Sequence, residues 1–305
     1  MNPLHGIGLK VASVIAFIMM ASLLKSVSDA VPPGEMVFFR SFFAIPVIVV
    51  WLHMRHELHL GVGTSNPLGH FWRGLSGAAS MGLGFAALGF LPLPEVTALG
   101  YASPLLVVIF ASMFLNEKVG VWRLGAVALG MTGVLIVLSP RLSLGAQTSD
   151  AQALGAMLAL TAAICSALAQ VFVRKLVSTE RTATIVFWFS FNASALALVT
   201  LPFGWVIPSW GQAAILVMAG LCGGVGQILL TSSYRFADAS VVAPFEYASM
   251  IFALLIGYFV FDEVPTLVML AGASLVMAAG FLIIWREHRL GLERARQRKA
   301  MTPNG

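Results

Sequence analysis

Ten apolar stretches follow one another along this chain, and their length and spacing restrict the fold more than any other feature. A helix needs about 20 predominantly apolar residues to cross the hydrocarbon core of a bilayer. The stretches predicted to do so are residues 6–28, 36–53, 72–91, 96–115, 123–139, 154–173, 183–204, 212–232, 240–261 and 265–285. The connections between them are too short for a separate soluble domain. We therefore predict an all-α membrane protein with ten transmembrane helices.

Composition and charge exclude several classes of soluble protein. Apolar residues make up 59% of the 305 residues and charged residues 10%, a balance far from that of a soluble globular domain. Cys165 and Cys222 lie in apolar stretches with no CxxC partner, so neither a disulfide nor a zinc site is supported. The glycine clusters around Gly84 and Gly220 lack a GK[ST] ending and are interpreted as helix-packing faces. We predict no metal, no cofactor and no nucleic-acid partner.

Basic residues predict how the chain lies in the membrane. If the N-terminus is cytoplasmic, the connections that carry most of the Lys and Arg residues are also cytoplasmic, and only Lys25 and Arg141 lie near the outer face. Six of the eighteen Lys and Arg residues occupy the tail at 286–299. The positive-inside rule therefore predicts a multi-pass protein of the inner membrane with both termini in the cytoplasm.

The chain repeats itself. A shift of 149 residues aligns Phe38 with Phe187, and a shift of 146 aligns the Tyr-Ala-Ser triplet at 101–103 with the same triplet at 247–249. Each copy holds five spans, an odd number, so the second copy starts on the opposite side of the membrane and the halves are inverted. The predicted units are a first repeat at 1–140, a second repeat at 154–286 and a basic cytoplasmic tail at 287–305.

Three stretches carry a family resemblance: FFRSFFA at 38–44, ASPLLVVIFASMFLNEKV at 102–119 and APFEYASMIFALLIGYFVFDEV at 243–264. They resemble the EamA-type ten-helix carriers of the drug/metabolite transporter superfamily, with one EamA unit in each half. The resemblance covers nearly the whole chain and implies a ten-helix basket with a central cavity. It also implies transport of amino acids, vitamins, nucleotides or drugs in either direction. Within the family, the chain resembles the proteobacterial vitamin and cofactor carriers that include riboflavin transporters.

Glu246 is the leading candidate for the transport mechanism. It lies seven residues into the ninth span, where an ionisable side chain is costly unless it faces a cavity or a partner. Pro244, two residues earlier, has no backbone N–H to donate and leaves a carbonyl free at this depth. Two interpretations stay open: Glu246 binds a coupling proton or a polar edge of the solute, or it forms an ion pair with another helix, for example through Arg40.

The fourth span has an interior proline of its own, Pro104. Discontinuous helices in corresponding repeats often mark transporter binding sites, so we place the cavity between the fourth and ninth spans. The repeat partner of Pro104 is Met250 and that of Pro244 is Ala98. This offset predicts that the two helix breaks lie at different depths.

Aromatic and basic side chains complete the candidate site. Tyr101, Tyr247 and Trp188 are predicted to stack on a planar solute, each stacked ring contributing about 1–3 kcal/mol. The competing interpretation is that they fill space in the bilayer helices. Arg40 either binds the solute or anchors the second span at the outer interface, and Lys25 is interpreted as an anchor.

Two further sets of polar residues resemble a catalytic carboxylate pair and a histidine metal site. Glu117 and Glu263 lie between spans on opposite membrane faces, so they cannot form a paired-carboxylate site and are interpreted as helix caps or gates. His53, His56 and His59 recur every three residues in the second cytoplasmic connection. They are interpreted as part of a solvated interfacial segment, with a metal or pH sensor as the alternative.

The function predicted from these features is secondary transport, because inverted repeats, intramembrane charge and helix-breaking prolines occur without an ATP-binding motif. The best candidate is uptake of riboflavin or a similar vitamin. The alternatives are export of amino acids or other metabolites and uptake of S-adenosylmethionine. An intramembrane transferase would need a cluster of carboxylates or His/Ser partners near an interface, and the sequence contains no Asp-rich motif. A structural scaffold or sensor would need neither Glu246 nor the inverted repeat. The expected partners are a small-molecule solute, the lipid bilayer and a coupling proton, and no enzymatic activity is expected.

Overall fold

The computed structural model describes residues 3–56, 63–114, 120–142, 150–177, 179–236 and 243–301, and regular structure in these ranges is helical throughout. The α-helices there are α1 Pro3–Lys25, α2 Pro33–Phe42, α3 Ala44–Met54, α4 Pro67–Leu88, α5 Leu93–Gly100, α6 Ala102–Phe114, α7 Val121–Leu142, α8 Asp150–Val177, α9 Thr182–Leu198, α10 Trp210–Phe236, α11 Ala248–Phe261 and α12 Leu267–Met301. Two 3₁₀ segments, Leu201–Phe203 and Ala243–Tyr247, follow α9 and precede α11.

Each predicted span corresponds to one helix or to two segments joined end to end. Within the described ranges, five helical stretches are long and apolar enough to cross a membrane: Leu4–Lys25, Pro33–Met54, Leu93–Phe114, Asp150–Val173 and Trp210–Leu230. Four shorter apolar helices are Leu124–Pro140, Ala183–Leu198, Phe245–Phe261 and Leu267–Ile283. The helix α4 takes the place of the remaining span. The prediction of an all-α fold with ten membrane helices is confirmed.

Several helix starts follow directly from local sequence. Pro33 and Pro67 occupy the first positions of α2 and α4, where a missing backbone N–H breaks no helical hydrogen bond. Asn66 caps α4, because its side-chain oxygen accepts a hydrogen bond from the backbone N–H of Gly69 at 2.9 Å. These signals set the beginnings of the second and third spans.

Helices of one half pack against helices of the other half in reciprocal pairs. The helix α1 packs along α10, and its repeat partner α8 packs along α4, which is the repeat partner of α10. The helix α2 packs against α9 and α7 against α12, each pair consisting of repeat partners. Reciprocal contacts of this kind are what a two-fold relation between two units produces. The sequence repeat is therefore also a repeat of tertiary contacts.

Small residues allow the closest helix crossings. A Cβ atom placed on Gly220 of α10 would lie 2.8 Å from the carbonyl oxygen of Phe39 in α2. A Cβ on Gly133 of α7 would lie 2.7 Å from the carbonyl oxygen of Gly272 in α12. Neither crossing leaves room for a side chain, in agreement with the packing role predicted for the glycines. Gly84 differs, because it lines a cavity between helices.

Two spans are interrupted at equivalent positions. Tyr101 alone separates α5 from α6, and Tyr247 ends the 3₁₀ segment that leads into α11. The two tyrosines are repeat partners at the shift of 146 residues. The prediction that the two breaks lie at different depths is therefore wrong.

The position of a proline is not the position of the helix break that it causes. Pro104 clashes with the preceding turn and cannot donate to it, so the break falls three residues earlier, at Tyr101. The second span behaves in the same way: α2 and α3 meet at Phe43, three residues before Pro46. Pro244 instead lies inside a 3₁₀ segment, and the break follows it. The mismatch between the prolines thus leaves the two breaks in register.

The packed interior lies along the contacts between the halves. One buried apolar cluster joins the fourth and fifth spans to α11 and α12, and a second joins α1, α2 and α4 to α10. Many large apolar side chains are exposed, and those of Ile207 and Trp210 are almost fully so. An exposed apolar surface of this extent fits a protein whose exterior faces lipid.

Candidate functional site

Lys10 and Glu246 form an ion pair between α1 and the ninth span. The Lys10 Nζ donates to Glu246 Oε2. The Lys10 side chain is 2% exposed and that of Glu246 is 48% exposed. One side of the carboxylate thus contacts a buried ammonium group, and the other side is open. The interpretation that paired Glu246 with Arg40 is wrong, although an ion pair to another helix is present.

Lys10 is a functional candidate that was not among the predicted site residues. Lys10 is the fifth residue of the predicted first span, and a lysine that points into a helix bundle is as costly as a carboxylate there. A lysine near a span end normally reaches the interface along its own stem, so its place in the sequence alone does not distinguish the two cases. The structure shows that its stem is buried and its ammonium group reaches Glu246.

The 3₁₀ segment that carries Glu246 is held by a short chain of hydrogen bonds. Ser249 Oγ donates to the backbone carbonyl of Glu246 at 2.7 Å. The Tyr101 hydroxyl lies 2.5 Å from Ser249 Oγ. Because the serine proton is donated to the Glu246 carbonyl, the tyrosine hydroxyl is the donor to Ser249 Oγ. Pro244 belongs to the same segment. The broken fourth and ninth spans are therefore connected through polar groups beside the Glu246 carboxylate.

Tyr101 and Tyr247 contact each other directly. Their ring centroids are 5.0 Å apart at 65°, an edge-to-face arrangement, and both rings are buried. Tyr247 also packs on Phe281 with centroids 5.3 Å apart. A Cβ on Gly280 would overlap the Tyr247 hydroxyl, so this glycine makes room for the ring. A planar solute that stacks on either tyrosine would have to separate the pair, and the stacking role stays a prediction.

The repeat equivalent of the Lys10–Glu246 pair contains no charge. The shifts of 149 and 146 residues match Lys10 with Ala159 and Glu246 with Gly100. A cavity of about 170 Å³ lies there, among α4, α5 and α8. Its lining includes Ser80, Gly84, Val96, Gly100, Ala159 and Ser166. Beside it, Gln170 Nε2 donates to Ser103 Oγ at 3.0 Å, next to Pro104 in α6.

Reciprocal hydrogen bonds show that the two interfaces share one geometry. Ser13 Oγ in α1 donates to the carbonyl of Gly226 in α10 at 2.9 Å. Ser80 Oγ in α4 donates to the carbonyl of Ala162 in α8 at 2.8 Å. Ala162 is the repeat partner of Ser13, and Ser80 is that of Gly226. The same contact is thus made twice, with the serine on opposite helices.

Arg40 points into the helix bundle. It is 5% exposed, and its guanidinium carbon lies 5.5 Å from the centroid of the Phe189 ring. Phe189 is the repeat partner of Arg40. The structure therefore does not place Arg40 as an anchor at the lipid interface. Its assignment to solute binding stays a prediction.

Trp188 lies apart from the tyrosine pair. Its ring centroid is 6.1 Å from that of His70 and 5.6 Å from that of Phe191. The structure thus brings together Glu246, Tyr247 and Tyr101, with Pro244 and Pro104 in the adjoining segments, and places Trp188 in a separate aromatic group. Its role in solute binding stays a prediction.

An ion-pair network joins three chain segments at the end of α1. Lys25 Nζ lies 2.7 Å from Glu263 Oε1 and donates to the carbonyl of Leu91 at 2.8 Å. The backbone N–H of Leu93 donates to Glu263 Oε2 at 2.9 Å. Lys25 is therefore bound to protein rather than extended to the interface, and Glu263 caps α5 rather than the helix that follows it. Glu117 lies outside the described residues.

A second polar cluster lies where α8 meets α9. The pKa of Glu180 lies below its usual value: burial raises it, but hydrogen bonds from the segment Thr64–Asn66 outweigh that effect. His70 Nε2 is 3.9 Å from Glu180 Oε1. Of the three regularly spaced histidines, His59 lies outside the described residues. Within the described ranges, no group of three or more His, Cys, Asp or Glu side chains is arranged to bind a metal.

Comparison with known proteins extends these observations. The EamA-like transporter family matches residues 4–139 and 153–285. Among similar proteins, the pseudopaline exporter CntI of Pseudomonas aeruginosa (strain UCBPP-PA14) is 30% identical over 284 residues, covering 90% of this chain and 94% of the exporter. The S-adenosylmethionine uptake transporter of Rickettsia felis is 28% identical over 292 residues, with 94% of each chain covered.

Two further similarities concern the solute and the fold. The riboflavin transporter of Rhizobium johnstonii is 30% identical over 227 residues, covering 74% of this chain and 73% of that protein. One crystal structure superposes with a TM-score of 0.65 at 18% identity, over 93% of this chain and 98% of the other, and supports the fold alone. With both halves of the chain matched, this multi-pass membrane protein belongs to the EamA-like transporter family, within the drug/metabolite transporters.

Proposed function

We propose that this chain is a secondary carrier that moves a small organic solute across the bacterial inner membrane by alternating access, with both termini in the cytoplasm. We assign the solute or coupling-proton site to the Lys10–Glu246 pair. The observation that carries this assignment is a charged pair between two spans, one of them broken, in which the carboxylate keeps an open side. Ionisable groups within membrane spans typically belong to solute or proton pathways.

The pair gives a physical link between binding and helix movement. Lys10 belongs to α1, which packs along α10, whereas Glu246 precedes α11. If a proton or a polar group of the solute neutralises Glu246, the buried ammonium group loses its partner. An unpaired buried charge is strongly unfavourable, so this state favours a rearrangement of α1 against the ninth span. Such a change is one step of an alternating-access cycle.

The solute is proposed from the relatives. Uptake of riboflavin is supported by the similarity to a riboflavin transporter, and uptake of S-adenosylmethionine by the similarity to the rickettsial transporters. Export of a metabolite is the third proposal, since a pseudopaline exporter is equally similar. All of these proteins are named as transporters, which supports our proposal that the chain is not an enzyme.

The test is uptake of labelled riboflavin and of labelled S-adenosylmethionine by bacteria that express the chain, with and without a protonophore. Riboflavin uptake is measured in a riboflavin auxotroph. Saturable uptake that falls when the protonophore is added supports a proton-coupled carrier. Export is measured as loss of preloaded label from the same cells. Absence of saturable movement of every solute in both directions, with the protein present in the membrane, would contradict the proposal.

A further inference from the structure

Two arginines meet at one aromatic ring inside the helix bundle. The guanidinium carbon of Arg73, in α4, lies 3.9 Å from the ring centroid of Phe189 in α9, and that of Arg40, in α2, lies 5.5 Å from it. The three helices that carry these residues pack against one another. The ring face attracts both cations, so Phe189 holds two positive groups at one place.

Neither arginine has a counterion among the described residues. No carboxylate there lies within 4.0 Å of either guanidinium group. The nearby acid Glu180 is occupied by hydrogen bonds from Thr64 to Asn66, and Glu246 is occupied by Lys10.

The unsatisfied donors are specific atoms. Arg40 Nε, Arg73 Nε and Arg73 Nη1 are buried without a hydrogen-bond acceptor. A π face attracts charge but does not accept all the N–H groups of a guanidinium fork. The like charges of the buried Arg40 and the half-buried Arg73 also repel each other. The described part of the chain supplies no acceptor for these atoms, so the pair is suited to an acceptor from outside the protein.

The repeat shows that packing does not require these charges. At the equivalent positions in the other half, Phe189 stands for Arg40 and Ala219 stands for Arg73. Glycines make room for both side chains: a Cβ on Gly77 would lie 2.3 Å from Arg73 Nη1, and a Cβ on Gly223 would lie 3.3 Å from Arg40 Nε. Gly77 and Gly223 are themselves repeat partners. The Phe189 ring lies beside Gly77, and the Arg40 side chain lies at the equivalent place beside Gly223.

We propose that Arg40 and Arg73 form an anion site that binds a carboxylate group of the transported solute, with the Phe189 ring as its wall. Guanidinium forks match the geometry of a carboxylate and bind it through paired hydrogen bonds. The identification of the anion as part of the solute rests on the proposed transport function. Riboflavin carries no carboxylate, so this site favours an amino-acid-like solute, such as S-adenosylmethionine, over the neutral flavin.

The test is thermal unfolding of the purified full-length chain in detergent, at fixed pH and ionic strength, with increasing succinate. The uncharged diamide of succinate has the same carbon skeleton and serves as the ligand control. We expect succinate, but not the diamide, to raise the unfolding midpoint. Arg40→Gln and Arg73→Gln should each weaken this effect about ten- to a hundredfold in apparent Kd, because each removes charged hydrogen bonds to the carboxylate.

The matched control is Arg55→Gln, since Arg55 also lies over an aromatic ring, 5.4 Å from the centroid of Trp51, but is exposed. It should keep the full response to succinate. Arg40→Lys keeps the charge but loses the fork, so it should bind with intermediate affinity. Without ligand, Arg73→Gln should unfold at or above the wild-type midpoint, because a buried unpaired charge is gone. A structural role for Arg73 predicts a lower midpoint.

Equal succinate responses in the wild type, Arg40→Gln and Arg73→Gln would overturn the proposal, as would no response in the wild type. An equal or larger response to inorganic phosphate would assign the site to an inorganic ion and overturn its link to the solute. The measurement requires no transport. An Arg-dependent response in a chain that moves no solute would therefore contradict the transport function alone, whereas transport without such a response would contradict the anion site alone.

Discussion

The interface of α1 with α10 and the ninth span, and its repeat equivalent between α8, α4 and the fourth span, differ in charge rather than in architecture. Both have long helix-to-helix contacts, a serine-to-carbonyl hydrogen bond and a break at a tyrosine. The first contains the ion pair of Lys10 with Glu246. The second has Ala159 and Gly100 beside a cavity. Shared packing with unequal charge supports our proposal that the Lys10–Glu246 pair of the first interface takes part in transport, whereas the second interface has a packing role.

Removing the ion pair should have the largest effect. Glu246→Gln leaves the buried Lys10 ammonium without its partner, so we expect transport to be lost and stability to fall by about 1–3 kcal/mol, reduced by the exposure of the carboxylate. Lys10→Met leaves a half-exposed carboxylate and should destabilise less. The double variant makes this interface uncharged, like its repeat equivalent, and should regain stability without regaining transport. Unfolding in detergent measures stability, and uptake assays measure transport. Transport by the double variant would show that the charge of the first interface is not needed for function.

The second largest effect is expected at the end of α1. Lys25→Met removes the partner of Glu263 and two carbonyl contacts to the segment between α4 and α5. Both side chains are mostly buried, so we expect a loss of about 1–2 kcal/mol in stability. If this network is a gate, Lys25→Met should also exchange solute faster than the wild type. Arg55→Gln, an exposed arginine, is the control and should change neither unfolding nor exchange.

The reciprocal serines should give smaller and nearly equal effects. Ser13→Ala and Ser80→Ala each remove one hydrogen bond to a helix carbonyl, buried for Ser13 and partly buried for Ser80, at a cost of about 0.5–1.5 kcal/mol. Because they lie in different interfaces, the double variant should show the sum of the two. Chemical unfolding of the three variants measures this. A loss confined to Ser13 would show that the two interfaces do not share one packing geometry.

The smallest effect is expected for Tyr247→Phe. The variant keeps the ring and its contact with Tyr101, and removes only the hydroxyl that lies close to Gly280. Stability and solute affinity should remain within experimental error of the wild type, since stacking depends on the ring face. Tyr101→Phe also breaks the hydrogen bond to Ser249 and should destabilise slightly more. A large loss of affinity in Tyr247→Phe would assign the hydroxyl to solute binding.

Sequence reasoning identified the spans, the repeat and the family because these depend on patterns that extend along the chain. It also identified Glu246, whose charge is conspicuous within an apolar stretch. It did not place Lys10 beside Glu246 or Arg73 beside Phe189, because a basic residue near a span end either reaches the interface or turns inward, and only the packing of neighbouring helices decides which. The helix breaks were misplaced for a related reason, since a proline acts on the turn before it.

The most direct test of the central claim, that one of two equivalent interfaces holds the transport site, is uptake of labelled solute into proteoliposomes. The wild type, Lys10→Ala and Ala159→Ser are compared at equal reconstituted amounts. Lys10→Ala gives the first interface the residue that its repeat partner has. Saturable uptake by the wild type and by Ala159→Ser, and its loss in Lys10→Ala, is the predicted result. Uptake by Lys10→Ala at the wild-type rate would contradict the assignment.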